Sequence, residues 1–200
     1  MFNLKNLLAQ AMLVLSLGTV AGAALAVPVT YHVNVDTSTL SGAGLLDLAF
    51  IGAGDGASAT AFLSHFTGSF GDVYDAAGAV SGDVGSSITF SNTAGDNYLT
   101  QMVQFGSMFG FDIRFDFAES DIGTTFAMNL YLPGFTGYAF GDGALLQVDL
   151  NPAASIALDA QAPYASIAAV AADVPEPGQW AIMLTGLLLI GGLARRRAVD

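Results

Sequence analysis

From Val29 to Asp159 the chain repeatedly alternates apolar and polar positions. Val29, Tyr31, Val33 and Val35 share one side, and Thr30, His32, Asn34 and Asp36 the other. Phe109, Phe111, Ile113, Phe115 and Phe117 alternate with Gly110, Asp112, Arg114 and Asp116. Phe126, Met128, Leu130 and Leu132 alternate with Thr125, Ala127, Asn129 and Tyr131, and Leu146, Val148 and Leu150 with Gln147, Asp149 and Asn151. Side chains on an extended strand point to opposite faces in turn, so a period of two marks strands with one buried and one wet face. Gly- and Asp-rich stretches punctuate them at 52–56, 68–72, 94–97 and 141–143. Such residues accept the positive φ that tight turns need. The pattern predicts strands near 29–36, 44–51, 58–66, 78–83, 86–91, 98–106, 109–117, 124–132, 144–150 and 154–160. Thr37–Leu40 fits a short helical turn, and 164–172 is either one more strand or the start of a linker. About ten short strands make an all-β domain, a two-sheet β-sandwich of jelly-roll type, with a closed barrel as the alternative.

Two segments break the alternation. Near the N-terminus, Lys5 precedes an uncharged run through Leu7, Leu8, Met12, Leu13, Val14, Leu15, Leu17 and Val20, which ends in Ala24-Leu25-Ala26. A basic start, an apolar stretch and an A-x-A site together predict a secretory signal peptide over 1–26, cut between Ala26 and Val27. Near the C-terminus, Trp180 to Ala194 carries no charge, and Leu184, Leu187, Leu188, Leu189, Ile190 and Leu193 make it strongly apolar. As a helix these residues reach about 22 Å at about 1.5 Å per residue. That is short of the roughly 30 Å hydrocarbon core, but flanking residues and the stems of Arg195, Arg196 and Arg197 extend it. The arginines act as a stop-transfer signal and stay on the cytoplasmic side.

Val174-Pro175-Glu176-Pro177, followed by this apolar helix and the arginine cluster, resembles a PEP-CTERM sorting signal over 173–200. The resemblance implies processing by exosortase, a membrane-embedded enzyme of Gram-negative bacteria, after transient anchoring in the inner membrane. It further implies release or attachment at the cell surface and an association with exopolysaccharide and biofilm matrix. The body is similar to an uncharacterised group of PEP-CTERM proteins through Val33–Leu40, Leu45–Phe50 and Ile88-Thr89-Phe90. That group brings no catalytic residues with it. The expected organisation is therefore signal peptide 1–26, sandwich 27–172 and sorting signal 173–200, with signal peptidase and exosortase as partners.

Composition sharpens this picture. The chain has 17 acidic and 5 basic residues and no cysteine, and its mean hydropathy is +0.57. Lys5 and the three C-terminal arginines lie in the end segments, so residues 27–172 set one base, Arg114, against fourteen acids, a net −13. Disulfides and Cys-based zinc sites are excluded. Nucleic acid is excluded as a partner, because phosphate contacts need clustered Lys or Arg.

Candidate chemistry in the body is sparse. The two histidines, His32 and His65, lie on strands and in no nucleophile motif, so a non-catalytic protein is expected. Asp112 and Asp116 share a strand face about 13 Å apart, too far for a retaining glycosidase pair. Arg114 between them suggests an ion triad. No cofactor is implied. Calcium is the candidate metal, on loop carboxylates Asp55, Asp96, Asp121 and Asp142, though none of these forms a D-x-D-x-D-G loop. A sugar-stacking surface is the other candidate. Tyr31, Tyr74 and Tyr98 are among its rings, and Tyr131, Phe135 and Tyr138 are the foremost. Tyr131 falls on the polar side of its strand, and the other two lie in Pro133-Gly134-Phe135-Thr136-Gly137-Tyr138. A structural or adhesive matrix role, a carbohydrate-binding module and, more distantly, a secreted hydrolase are the functional classes left.

Overall fold

In a computed structural model of the chain the described residues are 29–52, 58–117, 123–151, 155–170 and Gly186. The expected signal peptide, the Pro-Glu-Pro motif, the C-terminal apolar run apart from Gly186, the arginine cluster, Asp55 and Asp121 lie outside them. Among the described residues no helix is long and apolar enough to cross a membrane.

Among the described residues twelve strands form: β1 (Thr30–Asp36), β2 (Ala43–Gly52), β3 (Ala59–Thr67), β4 (Phe70–Ala77), β5 (Val80–Gly82), β6 (Ser87–Ser91), β7 (Tyr98–Gln104), β8 (Met108–Phe117), β9 (Thr124–Tyr131), β10 (Leu146–Asn151), β11 (Ser155–Ala160) and β12 (Ala165–Val170). They make two six-stranded sheets, ordered β12-β1-β8-β3-β6-β5 and β11-β10-β9-β2-β7-β4. The ladders are antiparallel throughout. The chain is all-β, as the alternation predicts, and Pro28–Ala172 is a compact unit. We call the first sheet A and the second sheet B.

The inner faces supply one core. Val33, Leu63, Phe90, Phe111 and Ile113 from sheet A meet Leu46, Leu48, Phe50, Phe126 and Met128 from sheet B, all of them without solvent exposure. Phenylalanine rings join the sheets. Phe50 lies 6.5 Å from both Phe90 and Phe115, and Phe115 lies 6.0 Å edge-on to Phe126. Such pairs add to the burial that drives folding. Gly44 lets this core close, since a Cβ there would fall 1.9 Å from the Phe105 ring. A polar clip also crosses between the sheets near their edge. Asn92, just after β6, accepts the Ala59 N–H and donates to Thr124 Oγ1 on β9.

Twelve strands stand where the pattern predicts about ten. Residues 68–72, expected as a turn, instead lead into β4, which begins at Phe70. Nearly all of β4 is exposed, so no alternation marks it. It is an edge strand whose pairing with β7 shifts register twice. The second addition, β12, turns residues 165–170 into the outer partner of β1. Thr37–Leu40 is a turn, closed by Leu40 N–H donating to the Thr37 carbonyl. A 3-10 turn at Pro133–Phe135 is the one helical element longer than a single residue among the described residues.

Candidate functional site

The register of sheet B determines what its outer face presents. Inward-pointing Leu46, Leu48 and Phe50 leave Leu45, Asp47, Ala49 and Ile51 of β2 facing outward. Across β9, β2, β7 and β4, one row reads Asn129, Asp47, Thr100 and Asp75. The next reads Ala127, Ala49, Tyr98 and Ala77. The polar row is knitted together: Thr100 Oγ1 donates to Asp47 at 2.8 Å, and the Tyr98 hydroxyl to Asp75 at 2.9 Å. The alanines in the neighbouring row leave space above the sheet. The result is an open groove of about 400 Å³, lined by Asp47, Ala49, Asp75, Asp96, Tyr98 and Phe135, among others. At its side Asn97 is buried and fully engaged. Its amide donates to the carbonyls of Phe50 and Ala94, and its oxygen accepts the Ala79 N–H at 2.7 Å.

One end of the groove carries an aromatic group. Pro133 starts the 3-10 turn, and Gly134 (φ 68°) and Phe135 (φ 57°) reverse the chain so that Tyr138 bridges back to Tyr131. The turn packs on β2. The Tyr131 and Tyr138 rings stack at 4.8 Å with 27° between planes. Phe135 lies 5.0 Å from Tyr131 and 5.7 Å from Tyr74 of β4. Phe135, Tyr138 and Tyr74 are 45%, 38% and 56% exposed. Exposed rings gathered in one place, unlike singly scattered ones, are a feature that interaction surfaces share. Burial, and then a hydrogen bond with Tyr138, push the Tyr131 hydroxyl up to about 12. The Tyr98 hydroxyl is raised as well, because it donates to Asp75 and a phenolate there would face that carboxylate.

The three foremost sugar-stacking residues, Tyr131, Phe135 and Tyr138, are thus brought together, with Tyr74 beside them. Tyr98 lines the same groove, and Tyr31 packs instead against the core. Sequence reasoning missed Asp47 and Asp75. The signal for Asp47 was present: it is the lone charge in Leu45-Leu46-Asp47-Leu48, at the outward parity. Asp75 sits in β4, whose exposure erased its pattern. Of the calcium candidates, Asp96 lines the groove, whereas Asp142 lies in the connection between Tyr138 and β10. No three acidic or histidine side chains are arranged to hold a metal among the described residues.

The outer face of sheet A corrects the ion-triad expectation. Asp112 pairs directly across from His32 and contacts its Nδ1 at 2.5 Å, while its other oxygen meets His65 Nδ1 at 2.9 Å. Arg114, one position further along that face, lies over the Phe62 ring at 5.5 Å. Among the described residues the only ion pairs are those of Asp112 with the two histidines. His65 reaches Asp112 because β3 is irregular after Ser64 and His65 adopts φ 53°. Ser64 Oγ lies 3.4 Å from the same Nδ1. A proton relay needs the nucleophile and the acid on opposite ring nitrogens, so Ser64, His65 and Asp112 do not form one in this arrangement.

The chain matches no protein-family model, no curated protein and no solved structure.

Proposed function

We propose that the body is a non-catalytic carbohydrate-binding sandwich on an exported, exosortase-processed surface protein, and that it grips exopolysaccharide. The observation that carries the binding reading is the aromatic group at the end of the sheet B groove, in which exposed Tyr74, Phe135 and Tyr138 surround half-buried Tyr131. Sugar rings present flat C–H faces that pack on aromatic rings, while their hydroxyls can donate to the carboxylates of Asp47 and Asp75 and accept from the Asn129 amide in the same row. The fold is read as a jelly roll with added edge strands. Pairing of β1 with β8, β2 with β7 and β3 with β6 supports that reading, since these are the pairs made when one long hairpin folds over on itself.

The export route rests on the two end segments. Signal peptidase cuts after Ala26, the apolar helix holds the chain in the inner membrane, and exosortase acts near Pro175-Glu176-Pro177. The mature body then resides at the surface or in the matrix, where its excess of acids keeps it soluble.

Glycan-array binding of the purified protein tests the ligand. Phe135→Ala and Tyr138→Ala should each weaken binding about tenfold, equivalent to about 1.4 kcal/mol, with an unchanged fold by circular dichroism. A protein that binds no glycan on the array would remove the reading.

A further inference from the structure

We infer that the glycan held in the sheet B groove carries free amino groups, so that it is a cationic amino-sugar polymer and not a uronate or sulfated one. The inference rests on the carbohydrate reading and adds its charge. Asp47, Asp75 and Asp96 line the groove from three separate segments: β2, β4 and the loop before β7. Asp47 and Asp75 are held in place by Thr100 and Tyr98, which donate neutral hydrogen bonds and leave both negative charges uncompensated. Arg114, the sole lysine or arginine among the described residues, is on β8 of sheet A, over Phe62. The two histidines are both occupied with Asp112 on that same sheet. No cation therefore faces the groove among the described residues, and a polyanion would meet three carboxylates with nothing to neutralise it. An ammonium on a sugar stacked against Phe135 finds both an aromatic face and carboxylate oxygens, which attract it by charge and by cation–π contact. Like-charge repulsion excludes the wrong polymer as effectively as attraction selects the right one.

The test titrates the purified full-length protein with three oligosaccharides of equal length. These are a glucosamine oligomer with free amines, its fully N-acetylated counterpart, and a galacturonate oligomer. The pH is mildly acidic, where the amines are protonated. The amine oligomer should bind tightest and lose affinity with added salt, and the galacturonate should not bind. The double variant Asp75→Asn with Asp96→Asn should weaken the amine oligomer about tenfold or more and the acetylated one by much less, since the amides keep the shape and much of the hydrogen bonding but not the charge. Asp83→Asn with Asp116→Asn removes the same charge from exposed sites outside the groove and should leave both unchanged. If that remote pair weakens the amine oligomer as much, the attraction is only that of an acidic protein for a polycation, and the inference is overturned. It is overturned too if the acetylated or the anionic oligomer binds as tightly, although the carbohydrate reading then survives. Binding of none of the three, together with an empty glycan array, defeats both.

Discussion

At the scale of single residues, His65 departs most from the sequence pattern. Ala59, Ala61 and Leu63 point inward, so strict alternation would bury the imidazole. The left-handed backbone at His65 breaks the parity. It turns the ring out to Asp112 and lets Phe66 face the core, 5.5 Å from Phe111. A positive φ is unfavourable for side chains with a Cβ, most of all for β-branched ones, and costs on the order of 1–3 kcal/mol. His65→Gly should therefore stay within about 1 kcal/mol of the parent, because relieved strain offsets the lost exposed ion pair. His65→Val should lose about 2 kcal/mol or more. Urea denaturation compares the two, and equal losses would show that the backbone at this position carries no strain. None of this was legible in the sequence, where Leu63-Ser64-His65-Phe66 reads as an ordinary strand end. Tyr131, by contrast, was legible: its outward parity holds, and the parity put it on the face that carries the groove.

At the scale of elements, strands with one wet and one dry face were legible and strands without a dry face were not. β1, β8, β9 and β10 lie within two residues of their expected bounds, because core contact imposes a period of two on their sequences. β4 has no buried side chain, and only Phe70 at its start packs on the core, so the rest of its sequence carries no inward–outward period. The groove was half legible for the same reason. Its aromatic rings stood out by composition, whereas Asp75 belongs to the unpatterned strand. What keeps β4 and the groove wall in place is buried hydrogen bonding, and Asn97 is its centre. The side chain ties the end of β2, its own loop and the turn between β4 and β5. Gly78 fits beneath it at φ 80°, where a Cβ would approach Asn97 Oδ1 to 2.5 Å. Asn97→Ala leaves a buried carbonyl and a backbone N–H without partners. It should cost about 3 kcal/mol, read by thermal or urea unfolding. A loss below about 0.5 kcal/mol would mean that the loop relaxes and water replaces the amide.

At the scale of the whole molecule, the two ends and the body make different statements. The proposed address rests on short motifs in the end segments, legible without any structure, while the proposed function of the body depends on which side chains a register of distant strands sets side by side. The address has its own check. Mass spectrometry of the protein recovered from outside the cell should give an N-terminus at Val27 and a C-terminus near Pro175-Glu176-Pro177. A secreted species that still holds Trp180–Arg197 would contradict processing of the tail. The pairing of β1 with β12 bears on the order of events along this route. Thr30 is bonded to a partner at Val170, about 140 residues later. In a chain that crosses the membrane N-terminus first, β1 emerges early and waits, because β8 and β12 follow far behind it. Such distant pairings make for slow folding. On the proposed export route the sandwich closes only once translocation has delivered nearly the whole body, at the moment the tail reaches the membrane. If the tail anchors the chain as proposed, it acts as a timer as well as an address, keeping each molecule tethered while its last strand finds its first.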